Sequence, residues 1–315
     1  MLATVIGENL ARNLVSAGAR LVAISDQRDD RLVLAGALYP DAVLVREWRE
    51  VTRHLNVDAV VVATPPTTHF QIAFDSLAAG KNVLVEKPMT TSVDQAHRLV
   101  DAAAAAGRIL MVDHTFLYAS SIRAIRRMTS EGDLGELQYY NSMRIGPRPQ
   151  SIDVDVLWDL AAHDIAILDH LVEHRPERMT AVGIGHPAGS PADDVHITFA
   201  FGNGFISHVH VSWLSPVKVR RVLIGGSRGM ISYDDMEPIE KLQVHQPAVG
   251  RTGIWTPKLD TGETLTAVAK EFLDCIGSGR RPLADGEAGL RTVEILEVAS
   301  ASLKFGGQML PLREA

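Results

Sequence analysis

The chain has 315 residues, 46% of them hydrophobic and 22% charged, with a formal net charge of -7. This is the composition of a soluble globular protein long enough for two domains, and its acidic balance argues against nucleic-acid or anionic-membrane partners, which need clustered Lys and Arg. The single cysteine, Cys275, excludes an internal disulfide and makes a cytoplasmic location the default; neither a signal peptide nor a membrane helix is expected, the alanine run 102–106 being too short to cross a bilayer.

From residue 3 to 114, apolar runs of strand length alternate with segments of helical spacing, the pattern of a parallel sheet covered by helices. Residues 9–17 put Leu10, Leu14 and Val15 on one helical face ended by Gly18, and 20–25 reads as a strand ending at Asp26. Strand 58–63 precedes the turn Thr64-Pro65-Pro66, and helix 70–79 stops at Gly80. Strand 82–85 runs into Glu86-Lys87-Pro88, helix 92–106 stops at Gly107, and strand 109–112 closes the unit.

Beyond His114 the texture changes. Helix 122–131, whose Arg123, Arg126 and Arg127 form a solvated face, is followed by strand 137–144 and by helix 157–171 carrying His163. Val195, Ile197, Phe199 and Phe201 alternate toward one side, Gly202-Asn203-Gly204 turns the chain, and 205–213 returns as the second arm of an antiparallel hairpin. Strand-like pieces at 219–224 and 230–233 and helices 264–276 and 286–305 complete the chain. The expected architecture is an α/β Rossmann-like domain over residues 1–114 and an α+β domain over 115–315 with a mostly antiparallel open sheet.

In open parallel sheets ligands bind beyond the carboxyl ends of the strands, and Asp26, Thr64, Pro65, His69, Glu86 and Lys87 all follow strands. Asp26 lies 19 residues after Gly7, close to the spacing at which a carboxylate meets the ribose hydroxyls of NAD and repels the extra phosphate of NADP; capping a turn is the alternative reading. On helix 157–171, Asp159 sits one turn before His163, where it can orient the imidazole. Trp158 either stacks on a sugar or fills the core, core being preferred. Arg144 and Arg148 meet a substrate carboxylate or phosphate, or serve a surface or interface. His196, His208 and His210 project from the hairpin with no acidic or cysteine ligand read beside them, so no metal site is expected and they line a sheet face or subunit contact.

The segments VEKPMTTSVDQAHRLVDAA, ATPPTTH and WDLAAHDI, with the closing SGRRPLADGEAGLRTVEILEVASASL, resemble the Gfo/Idh/MocA family of NAD(P)-dependent oxidoreductases over nearly the whole chain. The resemblance implies a catalytic group of Lys87, Asp159 and His163. His163 would be the acid/base, Asp159 its orienting carboxylate, and Lys87 the donor to the reacting oxygen. It also implies NAD as cofactor, a Lys87–Pro88 bond of the cis kind, and a homo-oligomer (dimer or tetramer) formed through the second sheet. DHTFLYASSIRAI and LGELQYYNSMRI further resemble the branch that oxidises the C3 hydroxyl of nucleotide-linked amino sugars, which sets Lys87, Arg144, Trp158, Asp159 and His163 as substrate-binding residues.

One segment departs from the pattern. Family members begin with a strand and a glycine-rich turn that holds the pyrophosphate, whereas here VIGENLARNL follows Met1 almost at once. Either Gly7 is the last glycine of that turn, or Val5 and Ile6 are the strand and the turn is deleted. The rival functions are a catalytically silent sugar-binding or regulatory homologue that has lost the cofactor, and a dehydrogenase of free polyols or sugars.

Overall fold

The computed structural model describes residues 5–149, 153–248 and 251–312. It divides into two compact units: residues 1–118 with 262–293, and residues 119–261 with 294–315. The first unit opens with α1 (Val5–Ser16), then β1 (Ala23–Ser25), α2 (Asp29–Leu38), β2 (Val43–Val45), α3 (Trp48–Arg53) and β3 (Ala59–Val62). It continues with α4 (Pro66–Ala78), β4 (Asn82–Glu86), α5 (Val93–Ala106), β5 (Leu110–Asp113) and a 3₁₀ turn at Thr115–Tyr118.

Among the described residues the strands of this unit pair in parallel, in two sheets ordered β1-β2 and β3-β4-β5, and Met111 makes an isolated antiparallel bridge to Asp285. Every residue of β4 and β5 is buried, as expected of parallel strands covered on both faces. A pocket of about 260 Å³ is lined from both sheets and three helices, by Leu14, Val51, Ala59, Val61, Phe272 and Ile276 among others.

The start of the chain separates the two readings of the missing turn. Val5 and Ile6 are the first residues of α1, not a strand. Gly7 is buried in that helix's first turn, and Leu10, Ala11 and Leu14 are its apolar contacts, while Val15, expected beside them, is 41% exposed. Residues 1–4, where an earlier part of a glycine turn would fall, lie outside the described residues.

The second unit holds α6 (Ser120–Ser130), β6 (Leu137–Pro147), a π-helical turn at Leu157–Ala161 leading into α7 (Ala162–Leu171), and then β7 (Arg178–Ile184), β8 (Asp194–Ala200), β9 (Ile206–Ser212) and β10 (Leu214–Gly226). β11 (Gly229–Asp234), β12 (Leu242–Ala248) and β13 (Arg251–Trp255) follow. After α8 (Thr264–Ser278), α9 (Gly286–Lys304) and β14 (Leu310–Pro311), the sheet order is β13-β12-β11-β10-β6-β9-β8-β7-β14. Only β6 and β9 run parallel among its described pairs. Val195, Ile197, Phe199 and Phe201 are buried on one face as their alternation predicts.

The domain boundary differs from the expected one. The break comes at 118/119 rather than 114/115, and residues 262–293, expected in the second domain, belong to the first. The reason is specific side-chain chemistry. Glu263, at the N-cap position of α8, takes two hydrogen bonds from the Arg12 guanidinium (3.1 and 2.8 Å) and one from Asn13 (3.1 Å), while Thr266 donates to Asn13 at 2.6 Å. The Val112 amide donates to the Ala284 carbonyl at 2.8 Å. Gly289 permits the close approach that follows, because a Cβ there would lie 2.6 Å from Val112 Cγ2 and 2.9 Å from Met89 Sδ.

Candidate active site

In the first unit the carboxyl ends of three strands carry the expected groups. Asp26 follows β1 and is 9% exposed; its Oδ1 accepts the Arg28 amide at 2.8 Å, so the turn-capping reading is correct as far as it goes. Its other oxygen makes no hydrogen bond among the described residues and remains able to accept from a ligand hydroxyl. After β3, Pro65 is the N-cap residue of α4 and the Thr64 hydroxyl oxygen is buried with no hydrogen-bond partner among the described residues. A buried hydroxyl left unsatisfied costs free energy unless something binds it.

His69 is fully buried, with Nδ1 2.8 Å from the Pro88 carbonyl oxygen and Nε2 2.8 Å from the Thr64 carbonyl oxygen. Both ring nitrogens face backbone carbonyls, so His69 ties the β3–α4 loop to the Glu86-Lys87-Pro88 loop.

The Lys87–Pro88 peptide is cis, as the resemblance implied. Lys87 is half-buried, and its amide donates to Glu86 Oε2 at 3.2 Å. Beneath it lies a feature the sequence reading missed. Glu86 and Asp113 are register partners on β4 and β5, 8% and 1% exposed. Burial, and then the Asp113 charge, push the Glu86 carboxyl well above the usual carboxylate range. Asp113 is raised too, mainly by burial, although it accepts a 2.8 Å hydrogen bond from Thr115 that favours its ionised form. Two buried carboxyls in contact beside one lysine titrate as a pair, both held above the usual carboxylate range. His114 follows directly, fully buried with neither ring nitrogen hydrogen-bonded among the described residues. Burial, helped by Lys87 and Arg291, pushes it down to about 3, so it is neutral. The available signal was Asp113-His114 immediately after an apolar run, the same placement as Glu86-Lys87.

In the second unit, Asp159 and His163 lie on one continuous helical segment, but Asp159 belongs to the π-helical turn rather than to a regular α-helix. π-turns are rare and concentrate at functional sites. Asp159 Oδ2 accepts a hydrogen bond from the indole N–H of Trp213 at 3.3 Å, and the Arg148 guanidinium lies 5.0 Å from the Trp213 ring centroid. Arg148 and Asp159 are thus joined through a tryptophan to which sequence reasoning assigned no role. The half-buried Trp158 donates its indole N–H to Ser300 Oγ at 2.9 Å, which anchors that ring to α9.

Arg144 is a correction. It is neither a surface residue nor an open anion ligand, because its guanidinium is 2.6 Å from Asp164 Oδ2 with both side chains buried. Asp164 directly follows His163, so this ion pair pins the start of α7 to β6. The histidine cluster is a second correction: Asp194 does stand beside His196 and His210.

The strand-end groups fit a dinucleotide. Asp26 presents a carboxylate oxygen where a ribose would lie, Thr64 an unsatisfied hydroxyl, and Lys87 a cation at the end of the central strand. Residues 3–114 match a family model described as an oxidoreductase family with an NAD-binding Rossmann fold, and residues 122–232 match the GFO/IDH/MocA C-terminal domain. The chain is 28% identical over 244 residues to UDP-N-acetylglucosamine 3-dehydrogenase of Acidithiobacillus ferrooxidans, a match covering 75% of this chain and 76% of the relative. It is also 28% identical over 199 residues to scyllo-inositol 2-dehydrogenase (NADP(+)) IolW of Bacillus subtilis, covering 60% of this chain and 51% of that protein. Among solved structures, the UDP-N-acetylglucosamine 3-dehydrogenase GnnA from Acidithiobacillus ferrooxidans matches with a TM-score of 0.86 at 24% identity over 97% of both chains. Levoglucosan dehydrogenase in complex with NADH and levoglucosan matches with a TM-score of 0.90 at 18% identity, over 99% of this chain and 98% of that one. At such identities the structural likeness establishes the fold.

Proposed function

The chain belongs to the GFO/IDH/MocA family of oxidoreductases, whose N-terminal domain binds NAD, and from that premise we propose that it oxidises, or in reverse forms, the C3 hydroxyl of a nucleotide-linked hexose or amino sugar. The observation that carries the reading is Lys87, a half-buried cation at the carboxyl end of the fully buried β4, beside the buried carboxyl pair Glu86 and Asp113. The 28% identity to UDP-N-acetylglucosamine 3-dehydrogenase over three quarters of the chain supports the substrate class.

NAD supplies the hydride acceptor at the nicotinamide end. Asp26 holds the adenosine ribose and disfavours NADP through its charge, while Thr64, Pro65, Glu86 and Lys87 form the nicotinamide side. Gly7, in the first turn of α1, stands toward the pyrophosphate. His163 takes the hydroxyl proton, Asp159 orients its ring, and Lys87 donates to the oxygen as negative charge develops there. Trp213 and Arg148 fix Asp159, and Trp158 forms part of the sugar wall while its N–H is held by Ser300.

Among the described residues no helix is long and apolar enough to cross a membrane, and we assign the chain to the cytoplasm. Exposed Met143, Val182, Ile184 and Ile206 support a homo-oligomer formed through the open sheet face.

Calorimetric titration with NAD and NADP, followed by NADH production from UDP-N-acetylglucosamine, tests the proposal. Saturable NAD binding at micromolar Kd with weaker NADP binding is expected, with turnover lost by about 10²–10³ in Lys87→Met and about 10²–10⁴ in His163→Asn. A folded sample that binds neither cofactor overturns the enzymatic reading in favour of a silent sugar-binding homologue. Turnover of free inositol but not of the nucleotide sugar moves the substrate to the polyol class of the IolW relative.

A further inference from the structure

We propose that Asp194, His196 and His210, on the open face of the second-unit sheet, form a binding site for a divalent first-row transition metal ion such as Zn²⁺. The three residues come together through strand geometry. Asp194 and His196 are two residues apart on β8 and so share a face, and His196 is the register partner of His210 on β9. His210 Nε2 lies 3.2 Å from Asp194 Oδ2, and His196 Nε2 lies 3.7 Å from Asp194 Oδ1. One ligand atom from each residue falls within 4.8 Å of the others. Two ligand atoms about 2.0–2.1 Å from a tetrahedral metal stand about 3.3 Å apart, so the His210 spacing is already that of a shared ion, while His196 faces the other carboxylate oxygen and must close by a few tenths of an ångström. The two imidazole rings stack 3.9 Å apart at 10°, and the His196 side chain is 65% exposed, so it can splay to complete the set.

The donor set fixes the class of ion. Two imidazoles and one carboxylate suit Zn²⁺, Co²⁺, Ni²⁺ or Cu²⁺, whereas Mg²⁺ and Ca²⁺ take oxygen shells. Asp194 also takes a hydrogen bond from Ser212, an outer contact of the kind that orients a metal-binding carboxylate. His208 shares the face but is not part of the set, since its Nδ1 is 3.0 Å from the Thr198 hydroxyl. The remaining coordination positions lie on the face that also carries Met143, Val182 and Ile184, where water or a second copy of the chain would fill them, and the bound ion would clip β8 to β9.

The full chain, freed of metal by dialysis against a chelator, is titrated calorimetrically with Zn²⁺ and followed by visible absorption with Co²⁺. One Zn²⁺ per chain at a Kd of about 10 μM or tighter is expected, with Mg²⁺ showing no such binding. His196→Ala and His210→Ala each weaken Zn²⁺ at least tenfold, His208→Ala leaves it unchanged, and Zn²⁺ raises the thermal midpoint of the parent chain but not of His196→Ala. No saturable Zn²⁺ binding by the parent chain, or equal affinity in His196→Ala, overturns the proposal. Because His196 is exposed, its removal does not endanger the fold if His210→Ala fails to express.

Discussion

Asp164→Ala removes one half of the ion pair that holds the His163-bearing helix to β6. The Arg144 and Asp164 side chains are 6% and 2% exposed and 2.6 Å apart, so solvent cannot replace the lost carboxylate. Stripping one partner from such a pair costs about 3–5 kcal/mol, most of it the penalty of a buried charge left without its counterion. For a unit of this size each kcal/mol moves the thermal midpoint by about 2–4 °C, so a fall of about 6–20 °C is expected in a calorimetric or circular-dichroism melt. The double variant Arg144→Met with Asp164→Leu removes both charges and restores apolar volume, and should recover most of the loss. A fall below about 3 °C in Asp164→Ala would refute the reasoning, as would a double variant no more stable than the single one. Either result would return Arg144 to the role of an open anion ligand.

Trp213→Phe keeps the ring but deletes the donor to Asp159, a hydrogen bond to a charged acceptor worth about 1.5–3 kcal/mol; kcat should fall about tenfold or more while the NAD Kd stays unchanged. Asp26→Asn should weaken NAD and narrow the preference over NADP by about tenfold, read as the ratio of the two Kd values. Burial raises Glu86 in the folded chain above its ordinary value of 4.5, so it draws stability down as pH rises past that value; Glu86→Gln should flatten that decline in urea titrations run upward from pH 4.5. His114 behaves in the opposite sense, neutral when folded and protonated when unfolded, so stability is lost as pH falls from 6.5 toward about 3, and His114→Phe should flatten that limb.

Much of this was legible in the sequence because burial on both faces writes strands as unbroken apolar runs. Strands β3, β4 and β5 stand within a residue or two of where 58–63, 82–85 and 109–112 placed them. Elements α2, β2 and α3 were missed for the converse reason. They fill residues 29–53, where Val33, Leu34, Leu38, Val43 and Leu44 are exposed and leave no one-sided pattern to read. The return of 262–293 to the first unit was illegible because it rests on Glu263 meeting Arg12 and Asn13, contacts about 250 residues apart that no local spacing encodes. Trp213 was hidden likewise: its partner Asp159 is 54 residues away, and its own position reads only as the end of a strand.

The same limit explains why three acidic residues with one sequence signature end with three chemistries. Asp26, Glu86 and Asp113 each sit at the carboxyl end of a parallel strand, and alternation of apolar runs with helices predicts that placement well. What it does not carry is the neighbour each carboxyl meets. Asp26, as buried as Glu86, accepts the Arg28 amide. Glu86 and Asp113 end neighbouring strands beneath the segment that returns late in the chain, where Gly289 brings α9 against Met89 and Val112. Burial cuts both carboxyls off from water and makes them titrate as a pair beside Lys87. The lysine is marked by the motif, but the packing next to it involves residues some 200 positions later, so substitution of Gly289 by a larger residue should disturb the Lys87 loop through Met89.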